Sequence, residues 1–136
     1  MSLLPAADPQ QPKARILIVE DEAMIAFAAE ETLLAGGFEI AGVAGRLETA
    51  LSMIEGGGFD AAILDTNLAG VSAGPAAEAL GASGRPFIVV SGYLPSQQQE
   101  VFRGVPSIQK PYAPQRLISV LSEILPLHLK PPYISA

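Results

Sequence analysis

Two strand-length apolar runs in this chain end in acid. Ile16-Leu17-Ile18-Val19 runs into Glu20-Asp21, and Ala61-Ala62-Ile63-Leu64 runs into Asp65. A run this short with no polar side suits a strand covered on both faces. Further runs fall at residues 38–43, 87–90 and, more weakly, 106–109, so the sequence predicts five strands. Helical patterns separate them: residues 23–34 stopped by Gly36-Gly37, 47–54 stopped by Gly56-Gly57-Gly58, 76–80 ending near Gly81, and 113–125 stopped by Pro126. Alternating strands and helices imply a doubly wound α/β fold, with parallel strands joined by right-handed crossovers. Such sheets bind ligands just beyond the carboxyl ends of their strands, so Glu20, Asp21 and Asp65 converge on one shallow site.

The fourth crossover departs from the pattern. Between Ser91 and Pro106 the chain carries Gly92, Pro95, Gly104 and three consecutive glutamines, which leaves room for at most a short helix over 96–102. Residues 1–14, with Pro5, Pro9 and Pro12, read as a flexible leader, 15–125 as one domain, and 126–136 as a tail or linker. Met24, Phe27 and Leu34 recur at near-helical spacing and are assigned to the core rather than to a partner face.

Composition narrows the function. The chain has 136 residues and no cysteine, so disulfide frameworks, thiolate nucleophiles and cysteine zinc sites are all excluded. A net charge of -6 argues against sequence-independent nucleic-acid binding, which depends on Lys and Arg neutralising phosphates. No apolar stretch reaches the roughly 18 residues of a membrane span. His128 is the only histidine and lies outside the acidic site, so it is given no catalytic role.

Carboxylates packed together at strand ends raise one another's pKa, so the site either keeps a proton or binds a divalent cation. Mg²⁺ suits oxygen ligands, keeps several waters and commonly shares one or two carboxylates with phosphate oxygens. Asp21 and Asp65 are the candidate ligands, with the longer Glu20 acting through water. An ionised aspartate can also attack phosphorus to give an acyl phosphate, which makes Asp65 the candidate nucleophile. Such a transfer needs a cation and a hydroxyl facing the phosphoryl group. Lys110, after the fifth strand, and Ser91, after the fourth, fill those positions.

The motifs RILIVEDEAMIA, DAAILDTNL, FIVVSGY and QKPY, in that order and each closing a strand, resemble a response-regulator receiver domain over approximately residues 15–125. The resemblance implies a flavodoxin-like sheet of order 2-1-3-4-5 with a shortened fourth crossover helix. It implies Asp65 as phosphoacceptor, and Mg²⁺ held by Asp21, Asp65 and the backbone carbonyl of Asn67, with Glu20 on a metal-bound water. Ser91 and Lys110 would hold the phosphoryl oxygens. The implied partners are a histidine kinase or histidine phosphotransfer protein and a downstream protein or attached kinase, in a bacterial cytoplasm, with no nucleic acid or membrane.

Two departures from the family pattern stand out. Ser91 replaces the usual threonine and keeps its hydroxyl, whereas Ser107 occupies the place of the usual aromatic switch. Ser91-Gly92-Tyr93 is similar to the branch of receivers with a Phe-Ala-Thr-Gly-Tyr-like motif, which makes Tyr93 the candidate moving ring. Asn67 and Tyr93 hold the positions that govern how fast water attacks the acyl phosphate, and modest self-dephosphorylation is expected. The competing readings are an unphosphorylated interaction module of the same fold and an aspartate-nucleophile phosphatase. The phosphatase is disfavoured because Asn67 cannot shuttle a proton. A nucleotide or flavin module is disfavoured because acids, not a glycine-rich loop, follow the first strand.

Overall fold

The structure, a computed structural model, describes residues 12–92 and 100–131. Five parallel strands form one sheet: β1 (Arg15–Val19), β2 (Glu39–Ala44), β3 (Ala61–Asp65), β6 (Phe87–Ser91) and β7 (Ser107–Gln109). Their order is β2-β1-β3-β6-β7, which is the expected 2-1-3-4-5 arrangement once a small separate hairpin is set aside. That hairpin, β4 (Asn67–Leu68) and β5 (Val71–Ser72), follows β3 directly.

Among the described residues, four helices cover the sheet: α1 (Ala23–Ala35), α2 (Leu47–Gly56), α3 (Gly74–Ser83) and α4 (Pro114–Ile124). Strand pleating divides the core between the two faces. Ile16, Ile18, Ile63, Ile88, Val90 and Ile108 pack against Ala26, Ala29 and Leu33 of α1 and Leu117 and Leu121 of α4. The intervening Leu17, Val19, Ala62, Leu64 and Val89 pack against Ala50 and Ile54 of α2 and Ala76, Ala77 and Leu80 of α3. β3 is buried at every position, as a central parallel strand requires.

Some local expectations are corrected. α3 begins at Gly74, with Pro75 in its first turn, and runs through Gly81 to Ser83. It stops at Gly84, whose φ of +75° supplies the left-handed cap. Gly81 was a false stop because a glycine inside a helix only weakens it. In the fourth crossover, the described part of the expected 96–102 helix is a single 3₁₀ turn, Glu100–Phe102, and residues 96–99 lie outside the described residues. Beyond α4, a second 3₁₀ turn, Leu127–Leu129, brings Leu129 against the α1–α4 core.

Met24, Phe27 and Leu34 are not core residues. They are 86%, 61% and 59% exposed, while Ala26, Ala29 and Leu33 take the buried face. α1 is apolar nearly all the way round, so spacing alone did not distinguish its inner stripe from its outer one. Among the described residues, no helix is long and apolar enough to cross a membrane.

Candidate functional site

Parallel pairing aligns the carboxyl ends of the strands. Val19 is level with Leu64, Asp65 with Val90, and Ser91 with Gln109, so the residues that close β1, β3, β6 and β7 share one edge. Pleat parity then selects which side chains meet. Glu20, Asp65 and Lys110 each lie two residues beyond a side chain of the α1–α4 face: Ile18, Ile63 and Ile108. Ser91 lies two beyond Val89, on the α2–α3 face.

The three same-parity residues are in contact. Lys110 Nζ donates to Asp65 Oδ2 at 2.8 Å and to Glu20 Oε1 at 3.0 Å. Both carboxylates are buried, and the lysine side chain is 22% exposed. Asp21 completes the group: one carboxylate oxygen from each of Glu20, Asp21 and Asp65 lies within 4.8 Å of the others, a spacing that could hold one metal ion. Each of the three carboxylates also accepts from a backbone donor. Glu22 N–H reaches Glu20 Oε2 at 3.2 Å, Asn67 N–H reaches Asp65 Oδ1 at 3.1 Å, and Ala69 N–H reaches Asp21 Oδ2 at 3.1 Å.

Charge balance in the site is incomplete. Burial pushes the Glu20 carboxyl up to about 7, with Asp65 adding to the rise, although the Lys110 hydrogen bond opposes it. Burial alone would lower Lys110, but its bonds to Asp65 and Glu20 prevail and push it up to about 12. One ammonium therefore faces three acids. The all-oxygen donor set and the shortage of positive charge fit a hard divalent cation.

The hairpin after β3 was missed in the sequence, and it shapes the site. Its turn residues, Ala69 and Gly70, have φ of +54° and +88°. Positive φ at both positions is what a type I′ turn demands, and Asn-Gly or Asp-Gly is its usual signal; Ala-Gly is a weak one. Gly70 N–H also donates to Asn67 Oδ1 at 2.8 Å, closing the turn from inside. Ala73 N–H bonds Thr66 O at 2.9 Å, so 66 and 73 are a hydrogen-bonded pair and Asn67 opposite Ser72 is not. The Asn67 carbonyl thus leaves the ladder on the same edge as its N–H, which is the edge of the acids.

The structure brings Glu20, Asp21, Asp65, Lys110 and the Asn67 backbone together. Ser91 is fully buried at the end of β6, and its carbonyl accepts from Lys110 N–H at 2.8 Å. Tyr93 lies outside the described residues. Tyr112 was not singled out in the sequence, although it closes the QKPY motif. Half-buried, it walls a groove of about 510 Å³ that reaches Lys110, and burial, with the negative charge of Glu20, raises its phenol pKa.

The sequence matches none of the family models and none of the curated proteins compared with it. Solved structures do match. SdrG from Sphingomonas melonis Fr1 is 37% identical, over 82% of this chain and 96% of its own, with a TM-score of 0.72. The chain belongs to the response-regulator receiver family. A CheY-like response regulator receiver domain protein from Methanospirillum hungatei JF-1 is 29% identical over 82% of this receiver and 93% of its own chain, at a TM-score of 0.72. The response regulator PhyR from Brucella abortus is 28% identical over 85% of this receiver, at 0.73, and the match spans 49% of PhyR. The receiver fold supports a phosphoacceptor role in two-component signalling.

Proposed function

We propose that this receiver accepts a phosphoryl group on Asp65 from a phosphohistidine of a partner kinase or phosphotransfer protein, with Mg²⁺ as cofactor. The observation that carries the reading is the Lys110 ammonium bonded to both Glu20 and Asp65 beside Asp21. An Asp65 carboxylate oxygen gives an electron pair to phosphorus, the phosphorus–nitrogen bond breaks, and that pair returns to the imidazole nitrogen. Lys110, with its pKa pushed up, stays cationic throughout and stands where it can follow phosphoryl oxygens as they arrive. Asn67 N–H holds Asp65 Oδ1 and so orients the carboxylate. Mg²⁺, held by Asp21, Asp65 and the Asn67 carbonyl with Glu20 on a bound water, would offset the repulsion between carboxylate and phosphoryl anions.

Partner docking falls to the outer face of α1. Met24, Phe27 and Leu34 expose a run of apolar surface that nothing in the chain covers among the described residues. The adjoining groove is lined by Met24, Ala28, Thr32, Lys110, Pro111 and Tyr112. It leads from that surface to the lysine that touches Asp65, which favours a phosphodonor seated along α1.

In this reading the protein signals in the cytoplasm and does not turn over a substrate, apart from slow self-dephosphorylation. Ser91, Lys110 and Tyr93 respond to the phosphoryl group, and the Ser91-Gly92-Tyr93 motif supports reading the chain as one of the Phe-Ala-Thr-Gly-Tyr-like branch. Incubation with Mg²⁺ and acetyl phosphate tests the acceptor. One hydroxylamine-labile phosphoryl group per chain is expected in the wild type and none in Asp65→Asn; label retained by Asp65→Asn would reject Asp65.

A further inference from the structure

The same two-stranded hairpin holds both aspartates of the acidic site. Asn67 N–H binds Asp65 Oδ1 and Ala69 N–H binds Asp21 Oδ2, each at 3.1 Å, so residues at the ends of two different strands are held by one short element. The second bond comes from a strained residue: Ala69 is the one non-glycine with positive φ among the described residues. L-residues resist that conformation and keep it only where their surroundings over-determine it, which happens most at functional sites. Here the over-determination is visible. The Asn67 side chain pins Gly70 N–H, the Leu68–Val71 pair closes the ladder, Leu68 is buried, and Ala73 N–H ties the base to Thr66.

We propose that Ala69 is a positioning residue for the metal ion, acting through its backbone N–H on Asp21. The inference rests on the Mg²⁺ reading above. A carboxylate that binds Mg²⁺ through one oxygen is oriented by what the other oxygen accepts, and such outer contacts set metal affinity. Asp21 follows β1 outside the ladder and is only half-buried, so the Ala69 amide is the hydrogen bond that fixes how its carboxylate is presented beside Glu20 and Asp65. The type I′ turn is the means by which that amide is aimed.

The test removes one hydrogen-bond donor. Replacing Ala69 by lactic acid turns its amide into an ester without changing the side chain, and Ala69→Gly keeps the amide while relieving the φ strain. Mg²⁺ binding to the full chain is measured by calorimetry, and thermal unfolding is followed without the ion. The ester is expected to bind Mg²⁺ about tenfold more weakly while melting like the wild type, and Ala69→Gly to retain wild-type affinity. In unaltered protein, hydrogen exchange at the Ala69 amide should slow as Mg²⁺ is added. An ester with wild-type or tighter affinity, an Ala69→Gly loss equal to that of the ester, or faster exchange at Ala69 with Mg²⁺ would each overturn the role of the amide alone. No Mg²⁺ uptake by the wild type would overturn the metal reading and this inference with it.

Discussion

Lys110 Nζ stands 2.8 Å from Asp65 Oδ2, and its second bond, 3.0 Å to Glu20 Oε1, joins the ends of β3 and β1 through one ammonium. The lysine therefore holds together two acids that would otherwise repel each other in a buried place.

Removing that charge exposes the repulsion. Lys110→Met is expected to lower the stability of the ion-free protein by about 1 to 3 kcal/mol at pH 8, because one ammonium no longer serves two buried carboxylates. At pH 5 the loss should shrink, since Glu20 can then carry a proton. Urea unfolding at the two pH values checks this, and equal losses would contradict it.

Glu20 also sets a pH dependence. Its carboxyl is raised from 4.5 to about 7, so between those values the folded protein holds the proton more tightly than the unfolded chain. The contribution to stability is fully present below pH 4.5 and is lost as pH rises through about 7. Thermal unfolding in chelator should show a fall on the order of 1 kcal/mol across that window, after discounting for solvent screening. Glu20→Gln should flatten the slope.

Adding Mg²⁺ should reverse the trend. An ion that binds only the folded state stabilises it by about 2.7 kcal/mol at one hundred times its dissociation constant. Binding near pH 6.5 should also release part of the Glu20 proton, since metal and proton compete for the same carboxylates. Calorimetry in buffers of different ionisation enthalpy reads that proton, and identical heats in all buffers would argue against the exchange.

The two faces of α1 should respond oppositely to mutation. Leu33→Ala, in the core, is expected to cost about 2 to 5 kcal/mol. Phe27→Ser, on the open face, should change stability by less than about 0.5 kcal/mol while slowing phosphoryl transfer from a protein donor. Labelling by acetyl phosphate, which needs no docking surface, should be unchanged in Phe27→Ser.

Gly84→Ala isolates a backbone effect. No atom lies within 4 Å of the added methyl group, so the penalty comes from the φ of +75° alone. A loss of about 1 kcal/mol in chemical unfolding is expected, with labelling of Asp65 unaffected.

Most of the fold was legible because it rests on long-range statements that a sequence makes strongly. Consecutive apolar residues such as 16–19 and 61–64 have few other uses, and acids directly after them must emerge at a sheet edge. The acidic cluster and Lys110 could be read for the same reason. Three features were not legible. Ala69-Gly70 conceals a hairpin that a more usual Asn-Gly would have announced. Met24, Phe27 and Leu34 look like core because the exposed and buried faces of this helix draw on the same residue types. Gly81 and Gly84 are alike as letters, and only the backbone shows which one carries the positive φ.

The burial of β3 on both sides carries a further consequence. Hydrophobicity would accept this strand in either phase, because a slip of one residue exchanges one apolar set for another at little cost. The same slip would swing Asp65 to the opposite layer, out of reach of Lys110. What fixes the strand's phase is therefore the charged tip, and chemistry, more than oiliness, sets the molecule's alignment.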